Sequence, residues 1–187
     1  MVLDFKGFEK AYETLSSYNL RTPLIKNEWL SKRYSCEVYL KLENLQPVGS
    51  FKLRGATNMI ANLSEEERAK GVVAVSAGNH AQGVAWAAGK FGIDATIIMP
   101  KPSPLVKIMN TEALGAKVIL EGDNVDESFI YAKEYLKKNN KVYVHPFNQE
   151  DVIYGQGTIG FELKEQIDQI DFIFGSIGGG GLMSGVG

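Results

Sequence analysis

With one cysteine, Cys36, in 187 residues the chain can form no internal disulfide. Nor do its neighbours offer cysteine or histidine at metal-ligand spacing. Such sparing use of cysteine suits a reducing compartment, and Cys36 itself is expected to be a small buried hydrophobe. Histidine is nearly as scarce: His80 and His145 are the only two, too few for a histidine metal cluster, and no metal is expected. No apolar run approaches the roughly 20 residues a membrane helix needs. The opening Met1-Val2-Leu3-Asp4-Phe5-Lys6 lacks the basic-then-apolar pattern of a secretory signal. An excess of charge of one sign is missing too. The 20 basic and 22 acidic residues leave a net charge of -2, and no basic cluster sits beside an aromatic platform. The expectation is a cytoplasmic protein with neither nucleic acid nor membrane as partner.

What is present is enough apolar material for a packed core, 44% of the residues, arranged in two periodicities. Phe5, Phe8, Tyr12 and Leu15 recur at three- and four-residue steps, which predicts an amphipathic helix behind an Asp4 cap; residues 21–24 then break it. Residues 36–42 alternate as a strand and lead through Pro47 and Gly49 to Lys52, which opens a helix. From the capping-box pair Ser64 and Glu67 onward, strands at 72–75, 95–99, 117–120 and 141–144 alternate with helices at 79–91, 104–114 and 123–138. That order predicts an α/β fold with an open parallel sheet covered on both faces. A helix to about 170, a strand at 171–174 and a glycine run follow, and these belong to a second sheet that the strand near Val38 can join.

Three segments carry chemistry. Lys52 lies in Gly49-Ser50-Phe51-Lys52-Leu53-Arg54-Gly55-Ala56. Most lysines are solvated surface residues. One that acts as a neutral amine must be partly desolvated, and Phe51 with the small Gly49 and Ser50 supplies apolar cover and room for a ring. Arg54 reads as a surface helix residue. The run Gly178-Gly179-Gly180-Gly181-Leu182 follows the apolar Phe172-Ile173-Phe174, at a strand end where open α/β sheets bind ligands. Glycines let successive N–H groups turn toward one anion, so the run has the form of a phosphate site, with a plain flexible turn as the alternative. Ser76-Ala77-Gly78-Asn79-His80 repeats the arrangement after Val75 and suits a second anion, such as a substrate carboxylate. Equally, Ser76 or Asn79 caps the alanine-rich helix. His80 and His145 read first as packing residues. Gly155-Gln156-Gly157-Thr158-Ile159-Gly160 fits a dinucleotide-binding pattern, but it follows a polar stretch instead of a buried strand, so close helix packing is the better reading.

Together these segments, with Lys41-Leu42-Glu43-Asn44, Ala81-Gln82-Gly83 and Gly155-Gln156-Gly157-Thr158, closely resemble threonine dehydratase, a family of fold type II pyridoxal-phosphate enzymes. The resemblance runs along the whole chain. It implies open, mostly parallel sheets covered by helices, with a complete small domain (54–144) inserted in an incomplete large, cofactor-binding domain (1–53 and 145–187). It implies pyridoxal 5'-phosphate as cofactor, joined to Lys52 as a Schiff base. Phe51 would lie beside the ring, Asn79 at its hydroxyl, and Gly178, Gly179, Gly180, Gly181 and Leu182 around its phosphate. Ser76, Ala77, Gly78, Asn79 and His80 would clasp the substrate carboxylate. The implied reaction is dehydration and deamination of L-threonine or L-serine to a 2-oxo acid and ammonia, within amino-acid metabolism and isoleucine biosynthesis, by a homo-oligomer. Related serine racemases resemble the Ser76 motif but carry a second serine where this chain has Ala77, so elimination is favoured over racemisation.

The family continues well beyond the position of Gly187, so the chain is expected to be a fragment or truncation, with weak or absent activity by itself. Two alternatives go with that expectation. One is a β-replacement enzyme similar to cysteine synthase, and the other an inactive folded or self-assembling fragment.

Overall fold

The computed structural model describes residues 3–18 and 21–187. Helix α1 (Phe5–Leu15) starts where Asp4 Oδ1 accepts the Gly7 N–H at 2.7 Å. Strand β1 (Leu24–Lys26) is followed by α2 (Glu28–Tyr34), which Asn27 caps, and by β2 (Tyr39–Lys41). β1 and β2 pair antiparallel, Leu24 with Lys41 and Lys26 with Tyr39. A 3₁₀ turn (Glu43–Leu45) leads to α3 (Lys52–Ala61), then α4 (Glu65–Lys70) behind the Ser64–Glu67 capping box. Then β3 (Val72–Val75), α5 (Asn79–Phe91), β4 (Ala95–Met99), α6 (Leu105–Ala113), β5 (Lys117–Leu120), α7 (Val125–Asn139) and β6 (Val142–Tyr143) alternate. α8 (Glu150–Gln166) and α9 (Gly181–Val186) close the order.

The parallel sheet has strand order β5-β4-β3-β6. Alternation along β3 and β4 divides the core in two, because successive side chains of a strand point to opposite faces. Val72, Ala74, Ile97 and Met99 pack with Ala56 and Ile60 of α3 and Ala81, Val84 and Ala88 of α5. Val73, Val75 and Ile98 meet Ala132, Phe129, Tyr135 and Leu136 of α7 on the other face. The ends of β3 and β6 therefore open beside the first turns of α3 and α5. That is where the chemistry-bearing segments meet.

The glycine pattern at 155–160 lies inside α8 and is a packing device. An added Cβ at Gly155 would stand 2.6 Å from Arg54 O and 2.7 Å from Gly55 Cα, and one at Gly157 would overlap the Phe8 ring. α8 thus approaches α3 and α1 at backbone contact. Gly155→Ala is expected to lower stability by about 1–3 kcal/mol through overpacking, despite a gain in helix propensity of up to about 1 kcal/mol. The urea midpoint of the variant checks this, and an unchanged or raised midpoint contradicts the packing role.

Five expectations need correction. Residues 24–26 form a strand where the sequence suggested only a break, and it is β1, not residues 171–174, that pairs with β2. Residues 171–174 are not a strand. Among the described residues no strand lies alongside them to complete a ladder, and Phe172 and Phe174 are 81% and 94% exposed. Cys36 is exposed, not buried: it follows Ser35, whose left-handed φ of 53° ends α2 and turns the chain outward. Arg54 is no surface residue, being 1% exposed. No helix among the described residues is long and apolar enough to cross a membrane.

Candidate active site

Lys52 is the first residue of α3. The approach to it turns at Gly49, whose φ of 70° suits glycine and whose N–H donates to Gln46 O at 2.7 Å. The Lys52 side chain is half-buried. Its Nζ donates to the main-chain oxygen of Pro146 at 2.6 Å and lies 5.4 Å from the Phe51 ring centre. Burial pushes the Lys52 amine below the ordinary lysine range, since a neutral carbonyl partner returns less than the lost water. The desolvated amine expected from Phe51, Gly49 and Ser50 is therefore present.

Its partner belongs to a tight turn after β6. His145 Nδ1 accepts the N–H groups of Phe147 at 3.2 Å and of Asn148 at 2.9 Å. The Gln149 side chain ties the base of the turn, with Oε1 accepting the His145 N–H at 2.7 Å and Nε2 donating to Tyr143 O at 3.0 Å. Burial, and then the charge of Lys52, push the His145 imidazole below its ordinary value.

Opposite Lys52 stands the glycine run. Phe51, Lys52, Pro146, Phe147, Gln156, Ser176, Leu182 and glycines 178–181 surround a cavity of about 220 Å³. Each glycine has a separable reason. A Cβ at Gly179 would overlap the Phe147 ring, Gly180 has φ of 86°, and a Cβ at Gly181 would lie 2.6 Å from Phe147 O. Only Gly178 is free of both constraints, with nothing within 4 Å of an added Cβ. Open space at the one glycine that packing does not require is what the approach of a phosphate to bare backbone needs. Together with a desolvated amine on the facing wall, the donor set fits a phosphorylated aldehyde such as pyridoxal phosphate.

The 76–80 segment sits to one side of this cavity, and none of its residues is in the lining above. Ser76, Ala77 and Gly78 are half-buried, and Ser76 Oγ accepts the Gly78 N–H at 3.1 Å. Asn79 is exposed at the first position of α5, where Gly78 stands as the N-cap without a side-chain bond. Neither Ser76 nor Asn79 is therefore the side-chain cap of α5. His80 faces inward: it is 3% exposed, and its Nε2 lies 3.0 Å from Val144 O. Burial, outweighing that bond, lowers its pKa to about 4, with the charges of Lys52 and His145 adding to the effect. Lys52 and the start of α5 are close neighbours, since a Cβ on Gly83 would stand 3.1 Å from Lys52 O.

Arg54, two residues beyond Lys52, anchors the helix that carries it. Its guanidinium grips Glu43 through Nε and Nη2, both at 2.8 Å, and Glu162 through Nη1 at 2.6 Å and Nη2 at 2.9 Å, while Nη1 also donates to Thr158 Oγ1 at 3.1 Å. Lys41 pairs with Glu162 and donates to Thr22 O at 2.7 Å. Burial alone would raise the Glu43 carboxyl, but the bonds and charge of Arg54, with Thr22 and Gln46, hold it below the usual carboxylate range. Sequence reasoning missed Pro146, Phe147, Gln156, Ser176 and Arg54. For Arg54 a signal existed: Lys41, Glu43 and Glu162 are charges within otherwise packed elements, and such charges need partners.

Comparison with known proteins agrees with this geometry. The family described as pyridoxal-phosphate dependent enzyme matches residues 15–187. An L-threonine ammonia-lyase from Thermotoga maritima is 52% identical over 185 residues, which is 99% of this chain and 46% of the relative. Maize serine racemase superposes with a TM-score of 0.96 at 36% identity, over 100% of this chain and 56% of that one. The processed form of threonine deaminase isoform 2 from Solanum lycopersicum gives 0.91 at 42% identity, over 98% and 52%. The chain spans about half the length of the curated relatives it matches.

Proposed function

Because the chain belongs to the family of pyridoxal-phosphate dependent enzymes, we propose that its site serves elimination of water from L-threonine, and from L-serine by the same steps, giving a 2-oxo acid and ammonia. The observation that carries this reading is Lys52, an amine shifted toward neutrality by burial and held against Pro146 O on the wall of the glycine-lined cavity. Relatives named for threonine ammonia-lyase and threonine deaminase support the choice of reaction.

Pyridoxal phosphate, when bound, supplies a ring that accepts the electron pair left on the α-carbon of the amino acid. The main chain of residues 178–182 would hold its phosphate, and Asn79 would bind its ring hydroxyl. N–H groups of residues 76–80 bind the substrate carboxylate; His80 contributes there through its main chain, its ring being turned to Val144. Phe51 and Phe147 limit water around Lys52, which keeps its amine weakly basic. Lys52 Nζ takes the α-proton, the β-hydroxyl leaves with a proton as water, and the freed enamine takes up a water at its α-carbon to give the 2-oxo acid and ammonia.

Residues 54–144 form the small domain and residues 1–53 with 145–187 the large one, a division supported by a parallel sheet lying wholly within 54–144. Homo-oligomerisation belongs to the same reading. The free thiol of Cys36 suits a reducing, cytoplasmic setting in amino-acid metabolism, with isoleucine biosynthesis as the branch.

Ala77 separates elimination from racemisation, because a methyl group holds no proton to deliver to the opposite face of the α-carbon. With L-serine, pyruvate is expected to form at least about 100-fold faster than D-serine, the size of effect that a positioned acid or base contributes. The companion assay compares 2-oxobutanoate released from threonine with cysteine formed from an activated serine and sulfide. Efficient racemisation, or faster cysteine formation, overturns the proposal.

A further inference from the structure

The turn at residues 145–148 touches both walls of the cavity. Its Pro146 oxygen receives the Lys52 amine at 2.6 Å. The next residue, Phe147, lays its ring on Gly179, and its carbonyl oxygen is the atom that leaves no room for a Cβ at Gly181. One imidazole nitrogen sets the shape of this turn, since His145 Nδ1 accepts both the Phe147 and the Asn148 N–H. The ring also packs edge-to-face on Phe147, with centres 4.6 Å apart, and on Tyr143 at 5.8 Å. A nitrogen that accepts two N–H groups carries no proton of its own, so the turn as observed requires neutral His145 with its proton on Nε2.

We propose that His145 is a positioning residue: by accepting two N–H groups at Nδ1 it holds the turn that presents the Pro146 oxygen to Lys52 and the Phe147 ring to the glycine run. As far as the cofactor is concerned this rests on the function proposed above; as a statement about the turn it does not. Protonation of His145 would place an N–H against two N–H groups and release the turn. The titratable groups facing it are Lys52 from α3, His80 from α5 and Tyr143 from β6. His80 stays neutral down to about pH 4, and burial keeps the Tyr143 hydroxyl protonated up to about 12, so neither changes charge in the window concerned. Because the His145 pKa is lowered in the fold, the neutral turn is at full strength above the ordinary histidine value of about 6.5 and is lost only as pH falls through the lower, folded value.

The test compares the wild type with His145→Asn and His145→Leu. Asparagine also accepts main-chain N–H groups two and three residues ahead, but it does not titrate; leucine accepts nothing. In the cofactor-free chain, hydrogen exchange at Phe147 and Asn148 should be slow in the wild type and in His145→Asn, and about tenfold or more faster in His145→Leu. Affinity for pyridoxal 5'-phosphate, measured from about pH 7.5 downward through the folded His145 value, should fall about tenfold further in the wild type than in His145→Asn. Titration of the cofactor phosphate and of Lys52 is common to both proteins and cancels in that comparison. Wild-type protection in the leucine variant, or an unchanged acid limb in the asparagine variant, overturns the proposal. A wild type that binds no pyridoxal phosphate sinks the functional reading instead, and exchange at the two amides still decides the role of His145.

Discussion

Lys52→Ala removes the proton-carrying amine, and formation of 2-oxobutanoate from threonine is expected to fall by at least about 10³-fold, within the range that loss of a positioned acid or base produces. Lys52→Arg should fare no better: the guanidinium stays charged and offers no neutral nitrogen. Reduction of the pyridoxal-phosphate complex with borohydride, followed by peptide mapping, should label Lys52 in the wild type and nothing in either variant. The pH dependence has a definite sign. Burial lowers the Lys52 pKa, so the neutral amine appears below the ordinary lysine value of about 10.4, and the rate of labelling should reach its half-maximum below that pH. The same shift means that the unfolded chain binds a proton the folded one releases, so stability rises with pH across the interval between the two values. Undiminished turnover in Lys52→Ala, or label on another lysine, would remove the residue from the centre of the site.

The parts of this site that lie close in sequence were legible before the structure. A strand from 72 to 75 and a helix from 79 to 91 follow from apolar runs bounded by small residues, and the structure has those bounds. The position of Lys52 at a helix start, and its desolvation, follow from its immediate neighbours. What local pattern could not supply were contacts across the chain. Pro146 lies 94 residues from the lysine it receives, and nothing near His145 announces that its ring organises a turn instead of filling a core. Residues 171–174 mislead for a related reason: their apolar run is that of a buried strand, but a strand also needs a neighbour to share its hydrogen bonds. Arg54 was misread because a helix position shows its burial only through what packs against it, here α8 drawn close by Gly155.

Arg54 is the residue outside the cavity whose loss should cost most. All five of its N–H groups are engaged, two-pronged on Glu43 and on Glu162 with Thr158 taking the fifth. Removing the guanidinium leaves two carboxylates in a space built for a cation, with only Lys41 remaining to offset them. Arg54→Met should therefore destabilise the fold by about 3–5 kcal/mol, because the penalty is the stranded charge more than the lost attraction. Arg54→Lys keeps the charge but has three donors for five bonds, so its cost should be smaller and still measurable. The pH dependence separates this from simple loss of packing. Glu43 is held below the usual carboxylate range in the fold, so its contribution is complete above the unfolded value of about 4.3 and disappears as pH falls through the lower, folded value. In Arg54→Met that contribution is absent, and the Glu43 carboxyl, left buried without the guanidinium, gains by taking up a proton. The gap in urea midpoint between wild type and variant should accordingly narrow as the solution is made acidic. A gap that is the same at pH about 7 and about 4 would mean that Arg54 acts through its volume and not through its charge.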